Sequence, residues 1–118
     1  MSDDLAALFG IRNCDTVRRA RARLDAAGVA YRFHDYNTAG VDRARLEAWV
    51  DRLGWEALLN RSGTTFRKLP DAERQGLDRD RAVELMLAHL SAIRRPVLER
   101  GDVLLVGFDP DRYAAALA

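Results

Sequence analysis

The sequence contains a single cysteine, Cys14, which excludes an internal disulfide as a support for the fold. A lone cysteine agrees with a reducing compartment, so the protein is expected to be cytoplasmic. Histidine is also scarce, at two residues, and neither a metal-ligand spacing nor a glycine-rich phosphate loop is present. The sequence therefore predicts no metal site and no bound cofactor.

The chain also lacks a dominant charge and long apolar runs. Nineteen basic residues against 18 acidic ones leave a formal charge of +1, too little to attract nucleic acid or anionic lipid in general. No apolar run approaches the roughly 20 residues of a membrane span. The start, MSDDLAALFG, has acidic residues ahead of its apolar stretch, unlike a signal peptide. We expect a cytoplasmic monomer without nucleic-acid or membrane partners.

The chain has enough apolar residues to form one hydrophobic core. A hydrophobic fraction of 48% in 118 residues predicts a single domain over residues 1–118. In chain order the pattern predicts a strand at 5–9, a helix capped by Asp15 or Thr16, a parallel strand at 29–36, a helix capped by Asp42, a helical insertion at about 54–92, two antiparallel strands at 96–98 and 103–106, and a last helix from Asp109. This order predicts an α/β, thioredoxin-like fold with a small mixed four-stranded sheet flanked by helices.

Cys14 precedes the first predicted helix, where it has two interpretations. Backbone N–H groups and the helix dipole at a helix N-terminus favour an anion, so a thiol there ionises more readily and becomes a nucleophile. Alternatively, Cys14 is a small buried residue, as free cysteines often are. Its polar neighbours Asn13 and Asp15 favour the nucleophile. Val17 occupies the position of a second cysteine in a Cys-x-x-Cys pair, so a redox cycle needs an external thiol.

Five segments of the chain resemble the arsenate reductase-related (ArsC) family. They are NCDT at the first helix, RFHDY in the second strand, GWEALLNRSGTTFRKL in the middle, RRP before the third strand and LVGF before the last helix. The resemblance covers almost the whole chain. It is strongest to the YffB branch, with the Spx transcription regulators as a sister group.

The resemblance implies a catalytic cysteine at Cys14 and a cis peptide bond before Pro96. Glutaredoxin-coupled arsenate reductases surround their cysteine with three arginines that hold the oxyanion. Arg95 matches one of these arginines, whereas Asn60 and Phe108 occupy the other two positions. One guanidinium is a poorer oxyanion site than three, which argues against arsenate as the substrate.

From this resemblance we expect a glutathione-dependent thiol reductase with glutathione as co-substrate. Glutaredoxin or a protein disulfide is a further candidate partner. Arg95, assisted by Arg12 and Arg61, is expected to stabilise the thiolate or a bound oxyanion. The groove for substrate or glutathione is expected to be formed by Asn13, Thr16, Asn60, Thr64 and Pro96.

Two other functions stay open. The first is a redox-responsive, protein-binding regulator like Spx, which docks on RNA polymerase, although Val17 removes the Cys-x-x-Cys switch usual in that group. The second is arsenate reduction itself.

Overall fold

A computed structural model describes residues 5–117 and contains four strands and eight α-helices within that range. The strands are β1 (Ala6–Gly10), β2 (Tyr31–Asp35), β3 (Val97–Arg100) and β4 (Val103–Val106). The helices are α1 (Asp15–Ala26), α2 (Tyr36–Ala39), α3 (Arg43–Leu53), α4 (Trp55–Leu58), α5 (Thr64–Arg67), α6 (Asp71–Arg74), α7 (Arg79–Ala88) and α8 (Pro110–Leu117). The acidic residues that begin the chain lie outside the described range.

The backbone divides into two units. The first contains the described residues up to Ala39 together with those from Arg95 onward, and the second is Gly40–Arg94. The second unit thus includes α3 as well as the helices expected in the insertion at about 54–92.

The first unit is built on one mixed sheet with the strand order β2-β1-β3-β4. β1 and β2 are parallel and joined through α1, whereas β3 is antiparallel to both β1 and β4. Gly101, with a φ of +57°, adopts the left-handed conformation that the turn between β3 and β4 requires. The predicted thioredoxin-like fold with a four-stranded mixed sheet is confirmed.

One face of this sheet is covered by α1 and α8. A fully enclosed cluster joins the two inner strands to these helices, and it consists of Ala6, Leu8, Ala20, Leu24, Leu98 and Tyr113. On α1 the buried residues recur three and four positions apart, the spacing of one helix face. Burial of this face holds α1 against β1.

The bounds of β1, β2 and β3 differ from the predicted ones by one or two residues at each end, and the start of α1 also differs. The predicted cap at Asp15 or Thr16 is wrong, because Cys14 itself is the N-cap of α1. β2 ends at Asp35, and Tyr36 begins the short helix α2 instead of extending the strand. Asp35 turns the chain here, since its carboxylate accepts a hydrogen bond from the backbone N–H of Asn37 at 2.8 Å.

The second unit is helical. Asp42 caps α3 by accepting from the Ala44 amide at 3.2 Å, as predicted, and Asp78 caps α7 by accepting from the Arg81 amide at 2.9 Å. An exposed ion pair between Arg43 and Glu84, at 2.6 Å, links the two helices. An isolated antiparallel bridge joins Leu59, which follows α4, to Ile93 near the end of this unit. No helix of residues 5–117 combines the length and hydropathy needed to cross a membrane.

Gly10 controls how closely α1 approaches the end of β1. A Cβ atom at this position would lie 2.7 Å from Cγ2 of Val17, closer than carbon atoms can pack, and 3.3 Å from its Cγ1, which is also tight. Val17 is fully buried, and its branched side chain has little rotamer freedom in a helix. Glycine at position 10 therefore lets the first turn of α1 sit directly against the strand end.

We predict that Gly10→Ala destabilises the protein by about 1–3 kcal/mol, because the added methyl overlaps Val17. Urea unfolding of the wild type, Gly10→Ala, Val17→Ala and the double variant measures the effect. The double variant should lose less stability than the sum of the two single changes, because Val17→Ala removes the overlapping atoms. Strictly additive losses would show that Gly10 is needed for another reason.

Candidate active site around Cys14

Cys14 lies between β1 and α1, where a tight turn reverses the chain. Its backbone N–H donates to the Ile11 carbonyl at 3.3 Å, and its own carbonyl accepts from the Arg18 amide at 2.9 Å. The backbone angles of Cys14 are extended, as is usual for an N-cap residue. The thiol is therefore half-buried at the position where the unpaired amides of α1 begin.

The electrostatic environment lowers the pKa of the Cys14 thiol. Partial burial opposes ionisation, but the backbone N–H groups of Val17 and Thr16 and the guanidinium of Arg95 together outweigh it. The Cys14 side chain makes no capping hydrogen bond of standard geometry, so these amides act on the sulfur mainly by their orientation. Their effect is stronger on a thiolate, which is a better acceptor than a neutral thiol.

Asp15 is the carboxylate nearest to Cys14 in sequence, and it would oppose ionisation if it faced the sulfur. It is exposed and forms an ion pair with Arg18 on the outer side of α1. This pairing offsets the charge of Asp15 locally, so the amides and Arg95 retain their effect on the thiol.

Arg95 reaches the cysteine from the start of β3. Phe9 of β1 pairs with Val97, so the residues that precede Val97 run beside the loop that follows β1. The Arg95–Pro96 peptide bond is cis, as the resemblance implied. Pro96 is buried, and its carbonyl accepts from the Gly107 amide at 2.8 Å. The structure therefore brings Cys14, Thr16, Arg95 and Pro96 together in the first unit.

Arg12 and Asn13 are more exposed than these four residues. Both are exposed in the turn that precedes Cys14. Arg12 is not among the groups that act on the Cys14 thiol, whereas Arg95 is. The expected assistance of Arg12 toward a bound oxyanion stays a prediction.

Three further predicted residues lie on one loop of the second unit. The backbone amide of Asn60 donates to the Ala92 carbonyl at 2.8 Å, and its side-chain oxygen accepts from the Ser62 hydroxyl at 3.1 Å. Arg61 is exposed, with its guanidinium 5.4 Å from the ring centre of Trp55. Thr64 begins α5 and is also exposed. The loop thus presents an amide, a guanidinium and a hydroxyl within five residues of sequence.

Phe108, which stands at the position of an arginine in arsenate reductases, has a packing role. Its ring makes an edge contact with Tyr113, at 4.9 Å between ring centres, and the Arg19 guanidinium lies 5.5 Å from its centre. A cation at position 108 would lose both contacts.

Tyr36 is a site neighbour that the sequence pattern did not indicate. It is fully buried, and the charge of Arg95 acts on it, although burial raises the pKa of the Tyr36 hydroxyl overall. The position of Tyr36 near the site follows from the sheet topology. β1 and β2 are parallel, so the residues that follow their carboxyl ends meet at one edge of the sheet, which is where such folds place their sites.

The arrangement can supply a nucleophilic sulfur and a fixed positive charge. Among residues 5–117 no group of histidine, cysteine and acidic side chains is placed to hold a metal ion. A cysteine thiolate beside a guanidinium is an arrangement suited to nucleophilic attack on an electrophile.

The family of the chain follows from sequence and structure comparisons. The sequence model of the ArsC family matches residues 9–116. An uncharacterized protein of Haemophilus influenzae is 32% identical over 114 residues, which cover 97% of this chain and 100% of that protein. The global transcriptional regulator Spx of Streptococcus mutans is 26% identical over 115 residues, covering 96% of this chain and 83% of that protein.

Solved structures agree with these sequence matches. A YffB protein superposes with a TM-score of 0.93 at 56% identity, covering 96% of this chain and 99% of that one. An arsenate reductase-related protein from Brucella melitensis superposes with a TM-score of 0.75 at 49% identity, covering 93% of this chain and 92% of that one. The five segments that suggested this relationship are thus part of a match along nearly the whole length, and the chain belongs to the ArsC family.

Proposed function

We propose that the protein is a thiol–disulfide oxidoreductase in which Cys14 is the nucleophile and glutathione is the reductant. The observation that carries this proposal is the placement of Cys14 at the start of α1, where two amides and Arg95 lower the pKa of its thiol. The thiolate is the reactive form of cysteine, so this placement supports reactivity at a lower pH than a free thiol needs. Membership of the ArsC family supports the same reaction class.

The first step is attack of the Cys14 thiolate on one sulfur of a disulfide substrate. A bond forms between Sγ and that sulfur, the substrate S–S bond breaks, and the other half leaves as a thiolate. The product is a mixed disulfide on Cys14. Arg95 favours the attacking anion before the step and lies close enough to attract the anionic leaving group.

The second step needs a thiol from outside the chain, because the sequence has no second cysteine. A glutathione thiolate attacks the mixed disulfide, a new disulfide leaves, and the Cys14 thiolate is regenerated with a net transfer of two electrons. Glutaredoxin is a candidate reductant for the mixed disulfide, and a protein disulfide is a candidate substrate for the first step. The proposal includes both as partners.

The predicted groove residues have chemistry that suits glutathione, which carries two carboxylates and two amides. Arg61 offers a cation, and the Thr16 and Thr64 hydroxyls offer donors to such groups. Asn13 and Asn60 add amide donors and acceptors, and the buried Pro96 provides a wall beside Arg95. We propose these roles as part of the same function.

A regulator like Spx is the second candidate, because Spx proteins match this chain over almost its full length. A regulator would act through its surface, and its binding would survive loss of the thiol. If Cys14→Ser still retrieves RNA polymerase subunits from a lysate as the wild type does, the regulator is favoured over the enzyme.

We predict that Cys14 is alkylated by iodoacetamide with a pH midpoint below the value of about 8.5 of a free thiol. Oxidised glutathione should then add one glutathione per chain, and reduced glutathione should remove it, as followed by intact mass. Cys14→Ser is the matched control and should form no adduct. A midpoint at or above that of a free thiol, or alkylation only after denaturation, would show that Cys14 is a packing residue.

The same ionisation should appear in stability. The pKa of Cys14 is lower in the folded chain than in the unfolded chain, so the thiolate stabilises the fold. This contribution is complete above the unfolded pKa of about 8.5 and is lost as the pH falls through the folded pKa. The melting temperature of the wild type relative to Cys14→Ser should rise with pH across this window.

We predict that Arg95→Ala raises the pKa of Cys14 and slows its alkylation at neutral pH by on the order of tenfold. Arg95→Lys should restore part of the rate, because lysine keeps the charge but loses the planar fork. Arg94→Ala is the control, since Arg94 is an exposed neighbour whose backbone amide bonds to the Leu58 carbonyl at 2.7 Å. Equal alkylation rates in the wild type and all three variants would show that Arg95 does not act on Cys14.

Arsenate reduction is tested by rebuilding the missing arginines. We predict that Asn60→Arg with Phe108→Arg tightens arsenate binding, measured by calorimetry, because three guanidiniums hold an oxyanion better than one. The change at position 108 should lower stability by a few kcal/mol, since it removes the contacts of Phe108 with Arg19 and Tyr113. Wild-type turnover of arsenate with glutathione and glutaredoxin would overturn our view that arsenate is a poor substrate.

A further inference from the structure

The first unit buries two tyrosine hydroxyls that have no hydrogen-bond partner among the described residues, those of Tyr36 and Tyr113, and Tyr36 is the one on which the charge of Arg95 acts. Tyr36 is fully buried, and its oxygen has no hydrogen-bond partner among the described residues. Buried hydroxyl groups are costly unless they are bonded, so proteins rarely keep one without a use. Phenylalanine would fill the same space without this cost.

The strand registers place this hydroxyl beside the active-site arginine. Gly10 pairs with Asp35 across β1 and β2, and Phe9 pairs with Val97 across β1 and β3. Continued past the strand ends, these registers set Tyr36 on one side of Ile11 and Arg95 on the other. The Ile11 carbonyl in turn accepts the Cys14 amide. Tyr36, Arg95 and Cys14 therefore meet at one edge of the sheet.

Arg95 is the charged side chain that acts on both Tyr36 and Cys14. Asp35, next to Tyr36, accepts from the Asn37 amide at 2.8 Å, and Arg12 in the turn before Cys14 is exposed. Asp15 is paired with Arg18 on the exposed side of α1, and the His34 ring packs against Phe9 at 5.0 Å between ring centres. The guanidinium can thus be shared between a sulfur and a phenolic oxygen.

We propose that Tyr36 is a positioning residue whose hydroxyl accepts a hydrogen bond from Arg95 when the Cys14 sulfur is uncharged. A guanidinium only donates hydrogen bonds, and a phenolic oxygen is a good acceptor, whereas a neutral sulfur is a weak one. With a thiolate at Cys14, the guanidinium serves the sulfur. With a neutral sulfur, it turns to the Tyr36 oxygen and stays at the site.

This sharing has a definite direction. The Tyr36 hydroxyl stabilises the state in which the sulfur is neutral and leaves the thiolate state unchanged. Its removal should therefore make the thiol more acidic. A role of Tyr36 in packing alone would leave the acidity of the thiol unchanged, because phenylalanine keeps the ring.

The test is the pH dependence of Cys14 alkylation in Tyr36→Phe. We expect the acid dissociation constant of the thiol to rise roughly two- to tenfold, as for the loss of one competing hydrogen bond. Tyr113→Phe is the matched control, because Tyr113 is also fully buried with an unpartnered hydroxyl, and Arg112, not Arg95, acts on it. The Tyr36→Phe comparison is repeated in an Arg95→Ala background.

Three results would support the proposal when they occur together. Tyr36→Phe raises the acidity of Cys14, Tyr113→Phe does not, and Tyr36→Phe has no effect once Arg95 is alanine. Unchanged or reduced acidity in Tyr36→Phe overturns the proposal. It is also overturned if Tyr113→Phe has the same effect, or if the effect persists without Arg95, because Tyr36 would then not act through Arg95.

A second measurement rests on the proposed function. In the exchange of the Cys14 thiolate with oxidised glutathione, one S–S bond breaks, one forms, and a glutathione thiolate leaves. The mixed disulfide has a neutral sulfur, so Tyr36→Phe should lower the equilibrium constant for this exchange by a similar factor. If the acidity changes as expected but no variant forms an adduct, the function fails and the role of Tyr36 stands. If adducts form normally but the acidity of Cys14 is unchanged in Tyr36→Phe, the proposed function stands and the role of Tyr36 fails.

Discussion

The contact between Gly10 and Val17 determines the geometry of the candidate site. Strand β1 ends in a residue without a side chain, and the first turn of α1 fills that space with a buried valine. The helix N-terminus is therefore held directly beside the strand end, and the turn between them has room for Cys14 as the N-cap. The buried cluster between α1 and the sheet fixes the position of the helix, and the amides of its first turn therefore act on the sulfur.

A positive charge beside a half-buried thiol is useful only if the guanidinium stays in place when the sulfur changes its charge. In the cycle proposed above, the sulfur alternates between a thiolate and a neutral mixed disulfide. Under our proposal, the hydroxyl of Tyr36 offers the guanidinium an acceptor when the sulfur is neutral. A carboxylate in its place would add a second charge, which would compete with the thiolate.

Much of this fold follows from local sequence pattern. Local sequence pattern predicted all four strands, the parallel pairing of β1 with β2, the cap at Asp42 and a last helix from about Asp109, because each depends mainly on residues close in the chain. The cap of α1 was wrong for a related reason. Asp15 and Thr16 are the better capping residues, but packing of Val17 against Gly10 fixes the start of the helix one residue earlier. Tertiary contact overrides capping preference here.

The candidate site was predictable only where one short segment contains the chemistry. Cys14 and its helix could be inferred from NCDT, whereas Arg95 was linked to it through topology and the family resemblance. Tyr36 is separated from Cys14 by a whole helix and strand, and it looks like the last residue of a strand in the sequence pattern. Its importance arises from the register that sets it across Ile11 from Arg95. A search of the residues that follow the ends of paired strands would have found it, which makes strand register as informative here as the cysteine motif itself.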